Sequence, residues 1–252
     1  MPFRKCLTDD DLRDRICVVV GTRPDIIKQA PLIEALEALG ADFFILHTGQ
    51  HYSYNMDRVF FEDLGLPEPD YKIEDTYKYR LHGEQTAIML MNIERILLKE
   101  KPKLLVITGD ANTSLAAALA ARKLHIRVAH TESGVRTFDW MTPEEHNRVL
   151  IERLSDYLFA PNEWARENLE ADNVGGEIFV IGSTLVDALY EIRNVAEGRS
   201  ALLSELGLNP DSYFLMTMHR EGNLGQEHAV GHIIKGGLGA VGEFGLRLVF
   251  PI

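Results

Sequence analysis

A doubly wound α/β architecture on a parallel sheet is the fold class that the sequence predicts, and two observations carry it. Short β-branched or aromatic runs at 16–20, 42–48, 104–108, 126–130, 157–160, 178–181, 213–217 and 246–250 read as strands. Helical patterns separate these eight runs, and strands joined through helices run parallel. The composition suits a buried core, with 46% apolar and 25% charged residues.

Residues 1–15 form a charged leader without the apolar stretch of a signal peptide. No later run reaches the length of a membrane span, so a soluble, cytoplasmic protein with no membrane partner is expected. At 252 residues the chain suits one complete domain plus a piece of another. The expected layout is a first domain over 16–182, linker helices over 183–210 and an incomplete second domain over 211–252.

In the first domain, 83–99 is predicted helical because Ala87, Leu90, Met91, Leu97 and Leu98 keep i, i+3, i+4 spacing, interrupted by Glu94. Residues 183–202 are helical but more polar, and the turn cluster G-L-N-P-D at 207–211 closes the linker. The remainder reads as a β-α-β stub. Eight of the chain's 20 glycines fall between Gly222 and Gly245, weakening the intervening helix by up to about 1 kcal/mol per interior glycine. Residues 237–242 spell G-x-G-x-x-G, but they precede a strand and have no acidic partner downstream, so they read as a Gly-rich helix end.

The formal net charge of -12 argues against nucleic acid as a partner, because an acidic surface repels a phosphate backbone. An anionic ligand then needs a locally basic pocket. The two cysteines, Cys6 and Cys17, form neither a disulfide framework nor a metal site, which fits a reducing compartment.

Open parallel sheets bind ligands at the carboxyl ends of their strands. Four strand ends here carry chemistry. After the first comes G-T-R-P-D-I-I-K at 21–28, where a glycine turn, a helix start at Pro24 and the cations Arg23 and Lys28 converge on a spot suited to phosphate. The second carries Asp110, equally placed as a helix N-cap or as a carboxylate facing the crevice. The third, H-T-E-S-G-V-R at 130–136, carries Glu132, with Arg136 as a partner for it.

The segment T-P-E-E-H-N-R at 142–148 then separates two adjacent glutamates. Thr142 as N-cap and Glu145 three residues on predict a capping box. Glu144 is left to face Arg148 and Ile151, near the positive helix end that favours its ionised form as a base. The fourth junction, M-H-R-E at 218–221, places His219 and Arg220 for anion or acid–base work. Carboxylates and a histidine around a phosphate-type pocket, without a metal cluster, triad or cofactor motif, point to proton transfer and C–O cleavage on a phosphorylated sugar.

These motifs in this order resemble the non-hydrolysing UDP-N-acetylglucosamine 2-epimerases. The resemblance runs from Ile16 to Asn223 through G-T-R-P-D, H-T-G-Q-H, T-G-D, H-T-E-S-G-V-R, P-E-E-H-N-R, G-S-T-L-V-D-A and M-H-R-E-G-N. It implies two Rossmann-like domains of the GT-B type with the substrate between them. It also implies interconversion of UDP-GlcNAc and UDP-ManNAc by anti elimination of UDP to a 2-acetamidoglucal and re-addition, without a redox cofactor. Matching positions make Asp110, Glu132 and Glu144 the acid–base set and His219 and Arg23 contacts to the UDP phosphates. Lys28 becomes a supporting cation. Gln50 and His51 match a region where some bacterial members bind a regulatory substrate molecule. A homodimer is the expected assembly.

Asp25, Ala111, Ser183 and Gly222 depart from the family's usual Glu, Thr, Asn and Glu or Asn. The resemblance implies a His-Pro segment after residue 252 and then most of the second domain, including an Asp-Ser-Gly-Gly turn and a Glu that hold the uridine diphosphate, so the chain is read as truncated and nearly silent in catalysis. Two other readings stand beside this one. One is a related epimerase on a modified UDP-sugar, or the hydrolysing variant; G-T-R-P-D favours plain UDP-GlcNAc. The other is a non-catalytic fragment.

Overall fold

The computed structural model describes residues 13–199, 201–218 and 227–251. Contacts divide the chain into two compact units between Asn194 and Val195.

The first unit is a parallel sheet of seven strands in the order β3-β2-β1-β4-β5-β6-β7. Its strands are β1 (Arg13–Val20), β2 (Phe43–His47), β3 (Tyr71–Lys72), β4 (Pro102–Thr108), β5 (Arg127–Thr131), β6 (Tyr157–Ala160) and β7 (Glu177–Val180). The helices are α1 (Arg23–Ala38), α2 (Arg58–Asp63), α3 (His82–Glu100), α4 (Asn112–Lys123), α5 (Pro143–Leu154), α6 (Glu163–Ala171) and α7 (Thr184–Arg199). The order reverses between β1 and β4, which makes that gap the switch point, the place where open α/β sheets bind ligands.

The alternation along β1 shows why the sheet is covered on both faces. Cys17 and Val19 enter one core with α3 and α4, whereas Val18 and Val20 enter another with Ile26, Ala30 and Ile33 of α1. A strand buried on both faces reads as an unbroken apolar run, and C-V-V-V at 17–20 is one.

β8 (Tyr213–Leu215) and β9 (Arg247–Val249) form a second parallel sheet of two strands. Two expectations need correction. A further strand, β3, is two residues long, below the length at which a hydrophobic period shows. The buried face of α3 is Met89, Ile93 and Leu97, backed by Leu90, Ile96 and Leu98, while Ala87 and Met91 are exposed. Two offset i, i+4 series coexist in this helix, and the sheet selects one.

In the second unit α8 (Leu202–Glu205) precedes β8, and α9 (Glu227–Phe244) joins β8 to β9. Residues 237–242 lie inside α9, in its last turns. A Cβ on Gly237 would stand 3.2 Å from Leu248 and 3.4 Å from Met216 Sδ, so this glycine lets the helix approach its strands.

Candidate active site

The loops after β1, β2 and β4 meet at the switch point. A Cβ on Gly21 would lie 2.1 Å from Thr48 Oγ1 and 2.2 Å from Thr113 Oγ1. Those two hydroxyls are 2.7 Å apart. Gln50 Oε1 accepts from Thr113 N (3.1 Å) and Thr113 Oγ1 (2.8 Å), and His51 Nδ1 accepts from Arg23 N at 3.0 Å. Burial and the charge of Arg23 lower the His51 pKa, consistent with an unprotonated Nδ1.

The start of α1 differs from the phosphate cradle that the sequence suggests. Thr22 and Asp25 form a capping box in which Asp25 accepts from Thr22 N (3.0 Å) and Thr22 Oγ1 accepts from Asp25 N (3.4 Å). Pro24 has no amide hydrogen and His51 takes that of Arg23. The first turn therefore satisfies its own donors. Positive charge for an anion comes from side chains: Arg23 is exposed, and Lys28 is half-buried beside Glu132.

Lys28 Nζ donates to Glu132 Oε2 at 2.5 Å. Glu132 adopts a left-handed backbone with φ 63°, a conformation that non-glycine residues hold only where their surroundings enforce it. Asp110 follows Gly109, also at φ 63°, and its carboxylate accepts from Arg148 Nη2. Arg148 Nη1 donates to Glu145 Oε2 at 2.9 Å. Asn147 Nδ2 donates to the Asp110 carbonyl at 2.8 Å. The second turn of α5 is thereby tied to the loop that precedes α4, around Asp110.

The predicted capping box at Thr142 and Glu145 is absent. Thr142 is the N-cap, but its hydroxyl donates to the Asp139 carbonyl at 2.7 Å. Glu145 instead accepts from Thr137 N (3.0 Å), Thr137 Oγ1 (2.8 Å) and Phe138 N (3.1 Å). The loop folds back over the helix end, and its amides need an acceptor in the interior. Burial raises the Glu145 pKa, but the donors of Thr137 and Phe138 and the charge of Arg148 outweigh it and leave the pKa lowered.

Glu144 is exposed in the same turn and, among the described residues, no hydrogen bond or ion pair reaches it. Arg136 does not pair with Glu132. Its buried guanidinium donates to Glu152 and, at 2.7 Å, to Asp172, fastening the turn after β5 to α5 and the end of α6. His219 and Arg220 lie outside the described residues. Sequence reasoning missed Arg148 as the partner of Asp110; its only local signal was its place one turn beyond Glu144.

This cluster sets carboxylates, each held by a cation, at the ends of adjacent strands, which suits proton transfer next to an anionic ligand. Among the described residues no group of His, Cys, Asp and Glu could hold a metal ion, and no helix is long and apolar enough to cross a membrane.

The chain is 44% identical over 242 residues to the UDP-N-acetylglucosamine 2-epimerase of Methanocaldococcus jannaschii, covering 94% of this chain and 65% of that protein. It is 38% identical over 213 residues to the UDP-2,3-diacetamido-2,3-dideoxy-D-glucuronate 2-epimerase of Pseudomonas aeruginosa, covering 83% of this chain and 58% of that protein. The crystal structure of Methanocaldococcus jannaschii UDP-GlcNAc 2-epimerase in complex with UDP-GlcNAc and UDP is similar at a TM-score of 0.88 and 44% identity, covering 94% of this chain and 66% of that one. The chain thus spans about 65% of the length of the first of these relatives. Residues 34–252 match the family described as UDP-N-acetylglucosamine 2-epimerase, and with the parallel sheet and its strand-end carboxylates in place, the chain belongs to that family.

Proposed function

We propose that the whole protein interconverts UDP-GlcNAc and UDP-ManNAc, and that this chain carries its acid–base half. The supporting observation is the pairing of Asp110 with Arg148 and of Glu132 with Lys28 at the ends of adjacent strands. One carboxylate removes the C2 proton as the C1–O bond breaks and UDP leaves, forming a 2-acetamidoglucal. UDP oxygen then adds back at C1 while a second acid protonates C2 from the opposite face. Asp110, Glu132 and Glu144 share these roles, and Arg23, Lys28, His219 and Arg220 face the diphosphate.

In this reading residues 211–252 begin the UDP-binding domain after a linker over 183–210, and Gln50 and His51 face a regulatory ligand. The enzyme works as a cytoplasmic homodimer. A modified UDP-sugar is the second reading, because the relative from Pseudomonas aeruginosa bears such a substrate in its name.

Incubation of the whole protein with UDP-GlcNAc in D₂O, followed by NMR, tests the proposal. The expected product is UDP-ManNAc carrying deuterium at C2. An epimer that keeps its original hydrogen, or no exchange at all, overturns the mechanism. Asp110→Asn, Glu132→Gln and Glu144→Gln should each lower turnover about 10²–10⁴-fold, the range for losing a general acid or base.

A further inference from the structure

His130 lies fully buried in β5, one residue before its end, and no step of the proposed reaction uses it. Its Nε2 lies 2.7 Å from the Gly109 carbonyl oxygen and its Nδ1 lies 2.9 Å from Ser133 Oγ. Gly109 immediately precedes Asp110, and Ser133 immediately follows Glu132. One imidazole therefore spans the two loops that carry the strand-end carboxylates.

A carbonyl only accepts, so Nε2 carries the hydrogen. The one hydrogen of the Ser133 hydroxyl faces both the His130 carbonyl, at 2.8 Å, and Nδ1, which ties the turn to its own strand and to the ring. Burial favours the neutral ring and lowers its pKa, against the opposing influence of Glu152, the Gly109 carbonyl, Asp110 and Glu132.

The loops it joins are those with left-handed backbone, at φ 63° for both Gly109 and Glu132 and 83° for Gly134. Such conformations persist when their surroundings over-determine them. Around Glu132 those surroundings are His130 on one side and, on the other, Ser133 N donating to the Phe159 carbonyl at 3.1 Å.

We infer that His130 is a positioning residue that sets the separation of Asp110 and Glu132 by bridging Gly109 to Ser133. The inference rests on the acid–base reading of those two carboxylates. A buried side chain kept only for packing would be replaceable by leucine. Leucine here leaves the ring's bonds to the Gly109 carbonyl and the Ser133 hydroxyl unmade.

The test compares His130→Leu with His130→Gln, whose amide nitrogen can reach the Gly109 carbonyl as Nε2 does. In ¹H–¹⁵N spectra of the protein, His130→Leu should shift the amide resonances of Asp110 and Glu132 together, while that of Ile45 in β2 stays in place. Turnover should fall about 10²-fold, the scale of an ångström-sized misplacement, with KM changed less than about threefold. His130→Gln should restore most of the shift and the rate.

Unmoved amides in the leucine variant, or moved amides with unchanged kcat, overturn the inference, as does a glutamine variant that restores neither. If His130→Leu does not fold, the glutamine variant still decides: resonances and kcat close to wild type support the bridge, and a loss equal to that of a catalytic carboxylate overturns it. Coupled amide shifts in a protein that shows no C2 exchange would uphold the bridge and remove only the acid–base reading.

Discussion

Lys28 Nζ and Glu132 Oε2 are 2.5 Å apart although 104 residues separate them in the chain. The pair joins the first helix to the turn after β5, across the gap where the sheet order reverses. Replacing the cation by an apolar chain of similar length, Lys28→Met, should cost turnover at least about tenfold, because Glu132 loses the charge that holds it. A partly exposed ion pair stabilises a fold by only about 0–1 kcal/mol, so the melting temperature should move little. Parallel rate and melting measurements check this, and a large loss of stability with an unchanged rate would contradict it.

Glu145→Gln is expected to be severe, in contrast to the mild effect that a simple capping role implies. Glu145 holds the 137–138 amides and Arg148, and Arg148 holds Asp110. Loss of the buried charged acceptor should cost about 1–3 kcal/mol, with a fall in turnover. Its folded pKa is lowered, so its contribution is present above the unfolded carboxylate range of about 4 and disappears as the pH falls through the folded value. Thermal melts across pH should show wild type and variant converging under acid conditions.

Asp25 has the opposite sign. Burial pushes its pKa up to about 6, against the hydrogen bonds from Thr22 and the charge of Lys28. The folded state therefore binds the proton more tightly than the unfolded chain, and stability declines by about 3 kcal/mol as the pH rises from about 4 through 6. Asp25→Asn keeps an acceptor for Thr22 N and carries no charge. It should flatten that decline, a result readable from denaturant melts at pH 4 and pH 8.

Gly134→Ala should destabilise the turn that carries Glu132. Its backbone φ is 83°, and a Cβ would stand 2.1 Å from the Ala165 carbonyl oxygen. Left-handed strain and the clash with fixed backbone together predict a loss of about 1–3 kcal/mol. A chemical denaturation midpoint equal to wild type would exclude this.

Much of the candidate site was legible as position. Asp110, Glu132 and Lys28 stand out in the sequence because each follows a strand that its apolar run announces. Partnerships were not legible. Arg136 follows Glu132 closely in sequence yet turns to Glu152 and Asp172, and the Glu145 carboxylate passes over the adjacent Thr142 to reach Thr137 and Phe138.

By itself the sequence determined the alternation of strand and helix, the parallel sheet, and the set of residues standing at strand ends. Those follow from local periods and from the conformational preferences of β-branched residues, glycine and proline, which act within a few positions. The tertiary structure alone decided which of the two apolar series on α3 is buried and which cation each carboxylate receives. Partners such as Lys28 and Glu132 are brought together by the strand order, and no period within a helix or strand encodes which strands become neighbours.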